Sequence, residues 1–102
     1  MASYHINIQD NDLLKVDFGD PAQNDRIVKD ADEQLLKLIE DGMITGGELI
    51  RISGPASLPV AMVIAHRLTH LYQAVACYDP KMKKYVVAIA HGNKYHLGEL
   101  LD

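Results

Sequence analysis

The sequence predicts one small α/β domain, elements in the order ββαβαββ, with a mixed open sheet carrying two helices; a ferredoxin-like α+β arrangement is the alternative. Three observations predict it. Five short runs are rich in β-branched and aromatic residues and bounded by turn residues. Two longer runs, one with apolar residues at three- and four-residue spacing, read as helices. The length, 102 residues, suits a single domain spanning 1–102 and leaves no room for a second core.

Tyr4 to Gln9 alternates Tyr4, Ile6 and Ile8 with His5, Asn7 and Gln9, and Leu13 to Phe18 repeats the pattern after Asp10-Asn11-Asp12. This is a hairpin with one wet face. Asp20-Pro21 opens a helix whose apolar positions are Ile27, Val28, Ala31, Leu35, Leu38 and Ile39. Asp20 is expected to cap it, Pro21 to take its first position, and Gly42 to lie beyond its end. Glu48 to Ser53 is a β-rich run stopped by Gly54-Pro55. Ser57 to Gln73 reads as a second helix, capped by Ser57. Its start, Leu58 to Ala65, is apolar on all sides, so it is expected to be covered on both flanks. Ala74 to Tyr78 and Lys84 to His91 form a second hairpin around Asp79-Pro80-Lys81-Met82, and the C-terminal residues carry no assignable pattern.

Hydrophobic residues at 48% and charged residues at 24% describe a chain that folds. The longest apolar run is interrupted by Pro59 and is far short of the roughly 20 residues of a membrane span. The N-terminus has no secretory signal pattern. Cys77 is the single cysteine, which excludes an internal disulfide and fits a reducing cytoplasm; inside an apolar strand it is expected to be a small core residue. The formal net charge of −4 argues against a protein that coats DNA, but it is unevenly spread. Residues 1–48 hold eleven acids against four bases, a net of −7, whereas residues 49–96 hold six bases against Asp79 alone, a net of +5. Phosphate would be met by the second half, unless the halves neutralise one another in the fold.

Three segments could carry chemistry. Ser53-Gly54-Pro55-Ala56-Ser57 joins a strand end to a helix start, where free amides and the helix dipole suit a phosphate; it also reads as a plain turn plus cap. It lacks the lysine and glycine spacing of a P-loop or dinucleotide fingerprint. His66 and His70 lie four apart on one helix face and could share a metal or divide acid and base duties, or simply favour the helix C-terminus. Arg67 stands where a zinc protease needs glutamate. Tyr78-Asp79-Pro80-Lys81 puts an acid and a base around a proline, suited to a cation or a phosphate, and equally to an ordinary type I turn. His91 follows the last strand with its role open, and His5 and His96 belong to no cluster. Together three histidines, one aspartate and several cations fall at segment ends, where open α/β sheets keep their sites, and the combination suits phosphodiester chemistry.

Ile52-Ser53-Gly54-Pro55 through Ala65-His66, then His70, Tyr78-Asp79-Pro80-Lys81 and Val86 to His91, resembles the small CRISPR-associated ring nuclease family Csx3, over about residues 47 to 92. The resemblance implies a distantly Rossmann-like fold and a manganese-dependent cytoplasmic enzyme of antiviral defence, opening cyclic tetra-adenylate into linear di-adenylates and so switching off type III CRISPR signalling. It implies a homodimer that becomes a tetramer around the ring, with histidine from one side and Asp-Pro-Arg from the other acting together. Position by position, the catalytic residues fall on His70, Asp79 and His91. Ligand-binding positions fall on Ser53, Gly54, Pro55, Ala56, Ser57, His66 and Lys81, and manganese on Asp79 with His91. Two departures stand out: Lys81 occupies an arginine position and loses the bidentate fork, and one extra residue between His66 and Asp79 lets the histidine match fall on His66. The partners expected are the ring and linear oligoadenylate RNA, with no DNA and no membrane. Rival readings are a sensor or sponge that binds without cutting, a deadenylating 3′ exoribonuclease, and a regulatory domain cut from an ATPase fusion.

Overall fold

Single-residue alternation gives β1 (Tyr4–Gln9) and β2 (Leu13–Phe18), which pair antiparallel from Tyr4 opposite Phe18 to Gln9 opposite Leu13. In the computed structural model, which describes residues 2–10 and 12–102, Asn11 of the expected turn lies outside the described residues. The chain continues through α1 (Asn24–Glu40), β3 (Gly47–Ser53), α2 (Leu58–Thr69), β4 (Tyr72–Asp79), β5 (Lys84–Ala90) and β6 (Leu100–Leu101). The six strands lie in sequence order: β2, β3 and β4 are mutually parallel and the outer pairings antiparallel. This mixed sheet bears out the α/β expectation and excludes the ferredoxin-like alternative. The unassigned C-terminal residues supply β6.

Both helices fill one face. Ile27, Ala31 and Leu35 of α1 and Val60, Ile64 and Leu68 of α2 join Tyr4, Ile6, Leu14, Val16, Ile50, Tyr72 and Val75 in one core. Two parallel crossovers that advance in the same direction, each right-handed, must leave their helices on the same side. The strand order never reverses, so the crevice of a doubly wound Rossmann sheet is absent and ligand sites must lie at strand ends.

Local boundaries differ from expectation where distant residues intervene. α1 starts at Asn24, not Pro21, with Gln23 as an N-cap that makes no side-chain cap bond. The amides of Gly19 and Asp20 donate to Ser3 and Ala2 carbonyls, prolonging the β1–β2 pairing and holding Asp20 away from a capping position. The end of α1 is as expected: Gly42 has φ +74, its amide donates to Ile39, and the Met43 amide donates to Leu38, a Schellman stop. α2 is capped by Ser57 but ends at Thr69, because Tyr72 and Gln73 are drawn into β4 beside Gly47. Its apolar start is not covered on both flanks in one chain: Leu58 is 77% and Met62 66% exposed.

The first half of the outer edge of β1 is closed by side chains of α1. The Gln34 amide accepts from Ile6 N–H and donates to the Tyr4 carbonyl, and Asp30 accepts from both the amide and the hydroxyl of Ser3. The groups of Ser3, Tyr4 and Ile6 that would otherwise recruit another strand are thereby satisfied within the chain.

Candidate functional site at the two ends of the sheet

The Ser53–Ser57 loop leaves the C-terminal end of β3 with a backbone that only glycine can follow. Gly54 has φ +130, and a Cβ there would lie 1.9 Å from the Val16 carbonyl oxygen. The Tyr4 hydroxyl donates to the Pro55 carbonyl at 2.6 Å, and burial of that phenol, with Asp17 nearby, pushes its pKa up to about 12. The loop is therefore pinned from beneath. Ser57 Oγ donates to Asn24 Oδ1 at 2.8 Å and accepts from Val60 N–H. Pro59 has no N–H and the Ala61 amide is taken by the Ser57 carbonyl, so of the first-turn amides only Leu58 keeps its N–H free of these bonds. As a phosphate cradle this helix start is sparse, and side-chain cations must supply the rest.

Cations are at hand. Lys15 stands opposite Ser53 in the parallel β2–β3 register. β4 ends beside the loop, and its last residue, Asp79, accepts through Oδ1 from the Lys81 amide at 2.8 Å and the Met82 amide at 3.1 Å, while Lys83 N–H closes on the Asp79 carbonyl. One carboxylate oxygen is thus committed to the turn. Lys83 adopts φ +56, which fixes the tip of the hairpin. Lys81 and Lys83 form no ion pair among the described residues.

The histidines lie at the opposite end. His66 and His70 are exposed on the last turn of α2 and its C-cap, with ring centroids 5.0 Å apart at 88°. His91 follows β5; its amide donates to the Gln73 carbonyl at 2.7 Å and its Nε2 lies 2.7 Å from Thr69 Oγ1. His70 and His91 therefore share one corner, joined through Thr69. Beside His66, Arg67 makes a bidentate pair with Asp32 of α1 at 2.7 and 3.0 Å, which holds the Asp32 carboxyl below the usual carboxylate range.

β4 separates the two groups. From Tyr72 to Asp79 it takes seven residue steps, roughly 23 Å at ~3.3 Å per residue. One chain thus brings Ser53–Ser57, Asp79 and Lys81 together, and His70 with His91, but does not bring Asp79 to either histidine. Asp79 and His91, the pair expected to hold manganese, end opposite tips of the β4–β5 hairpin. The described residues contain no grouping of three or more His, Cys, Asp or Glu able to hold a metal. A manganese site does not fit within one chain.

Between α2 and the uncovered face of β4–β5 runs an apolar groove of about 660 Å³, walled by Leu58, Met62, Ile52, Cys77 and Ile89 and opening toward Gly54 and Ala56. Cys77 is a correction: it is exposed on this wall rather than packed in the core, because no helix covers β5. Its apolar surroundings push the thiol pKa up, which disfavours the thiolate. Thr69, Lys83 and Tyr4 escaped the sequence reading. Only the Lys81–Lys84 charge run hinted at any of them.

The geometry defines a two-layer α/β domain with cations and a pinned loop at one end of its sheet and imidazoles at the other. A family model described as CRISPR-associated protein (Cas_csx3) matches residues 22–102, and the chain belongs to that Csx3 family. Comparison with curated proteins and with solved structures gave no match. No helix among the described residues is long and apolar enough to cross a membrane.

Proposed function

We propose that the chain is a ring nuclease that opens cyclic tetra-adenylate into linear di-adenylates and so ends a type III CRISPR signal. One observation carries the reading: the free lysines of the second half, Lys81 and Lys83, stand with Asp79 beside the Ser53–Ser57 loop, while His70 and His91 occupy the other end. A ring of four phosphates held between the loop end of one copy and the histidine end of another would meet both sets. Membership of a CRISPR-associated family supports that substrate class.

In this reading the ribose 2′-hydroxyl beside the scissile phosphate gives its proton to an imidazole, and O2′ bonds to phosphorus. The P–O5′ bond breaks as a second group protonates the leaving 5′-oxygen, giving a 2′,3′-cyclic phosphate and a 5′-hydroxyl. His70 and His91 are the acid and base, with the His91 ring oriented by Thr69. Lys81 and Lys83 offset charge on the transferring phosphoryl group. Manganese would be held by Asp79 of one copy with an imidazole of the other, because one chain does not bring these groups together, and it would supply Lewis-acid stabilisation of the phosphoryl charge there.

The test is to incubate the chain with cyclic tetra-adenylate, with manganese and separately with a chelator, and to separate the products by chromatography. Linear di-adenylate is the expected product. An intact ring in a sample that binds it would overturn the nuclease reading in favour of a sensor, which the commitment of Asp79 to its own turn favours. Faster trimming of linear oligoadenylate than of the ring would instead establish the exoribonuclease.

A further inference from the structure

We propose that His66 and His70 form a two-imidazole clamp for a borderline-soft divalent cation of the zinc type. The two side chains project from the same face of α2 one turn apart, both are exposed, and their ring centroids already lie 5.0 Å from each other. Ring nitrogens bind zinc at about 2.0–2.1 Å, and rotation of two exposed side chains brings both nitrogens within reach of one ion, as helical histidine pairs at this spacing do. Among the described residues neither ring makes a hydrogen bond to another side chain. His66 borders a surface depression with Val28, Lys29, Asp32, Met62 and Val63, giving an approach from solvent.

The ligand count sets the chemistry. Asp32 is the carboxylate on that surface, and Arg67 holds both of its oxygens at 2.7 and 3.0 Å. The ion therefore has two protein ligands, completed by water, and the clamp is reversible rather than structural. Imidazole pairs select zinc, copper and nickel over manganese, which stands at the weak end of the divalent series. The clamp is thus distinct from any manganese requirement of the ring reaction. Occupied, it takes up the His70 lone pair that ring opening would use, so zinc would inhibit turnover; this consequence alone rests on the ring nuclease reading.

Calorimetric titration of the full chain with zinc, and separately with manganese, tests the clamp without reference to activity. One zinc per chain is expected, with no comparable manganese binding. His66→Gln and His70→Gln should each weaken zinc by roughly tenfold or more, the scale on which changes around metal sites act, and His96→Gln should leave it unchanged. Copper bound to the unsubstituted chain should show spectroscopic coupling to two imidazole nitrogens, reduced to one in either variant. Zinc binding that survives His66→Gln or His70→Gln, or that is lost with His96→Gln, would overturn the clamp. Absence of ring opening by the zinc-free chain, in a sample whose zinc binding is intact, would overturn the nuclease reading alone.

Discussion

If the site is completed by a second chain, two inactive variants must rescue each other. His70→Ala removes the imidazole at one end, and Asp79→Asn removes the carboxylate charge at the other while retaining an oxygen to accept from the Lys81 and Met82 amides, so the turn survives. Each pure variant should be inactive. The roughly 23 Å of β4 between the two ends forbids a site made within one chain. When the variants are unfolded together in equal amounts and refolded, a site drawing its histidine from one chain and its aspartate from another finds both intact in about one case in four. About a quarter of the native rate of di-adenylate formation is therefore expected, against none for a site confined to one chain. The assay is the initial rate on cyclic tetra-adenylate, with mixing verified by mass spectrometry of the assemblies. A verified mixture without activity would refute the two-chain site, and full activity of either pure variant would remove that residue from it.

Three further outcomes bear on the scaffold. Gly54→Ala should cost on the order of 3 kcal/mol, because it combines a φ of +130 with a Cβ 1.9 Å from the Val16 carbonyl; a urea midpoint within error of the native chain would contradict the close approach. Tyr4→Phe keeps the buried ring and removes only the bond to the Pro55 carbonyl, a loss of about 1 kcal/mol that lowers the melting temperature by about 5 °C. The Pro55 carbonyl sits on an exposed residue and can take water instead, so a much larger loss would mean that the phenol does more than this bond. Asp32 has its folded pKa lowered by Arg67, so its contribution is present above the ordinary carboxylate range and is lost as pH falls through the folded value. Asp32→Asn should therefore flatten the fall in stability below about pH 4 relative to the native chain, measured by denaturation across pH.

What could be read from the sequence was local. The β1–β2 alternation, the Ser57 cap and the Gly42 stop depend on residues a few positions apart, and all three stand in the structure. The start of α1 depended on backbone bonds from Gly19 and Asp20 to Ser3 and Ala2, a contact no local pattern encodes. Whether Cys77 was buried depended on which strands the helices cover, and the apolar start of α2 only stated that something should cover it. Candidate site residues were legible by type, but their arrangement depends on strand direction. Parallel β4 and antiparallel β5 carry Asp79 and His91 to opposite tips, although both stand at the end of a strand in sequence.

The opposed charges of the two halves are settled by pairing, and the remainder is informative. Arg51 meets Asp12, Arg67 meets Asp32 and Lys94 meets Glu48, each joining a base of the second half to an acid of the first, while Lys84 meets Asp102. Such exposed pairs add little stability, so their larger effect is on where uncompensated charge remains. They cancel four of the six bases of residues 49–96. Arg51 is doubly occupied, since its guanidinium also covers the Tyr85 ring at 5.7 Å. Among the described residues the bases of that half left without an ion pair are Lys81 and Lys83, on the tip that Asp79 folds. With screening confining an exposed charge to about 8 Å at physiological salt, an anion is drawn to this tip and the adjoining loop, not to the molecule as a whole. A net negative protein can in this way present a small positive end to a phosphate ring. The positive end lies a full strand away from the imidazoles that would cut it, which is the physical reason a second chain enters the proposal.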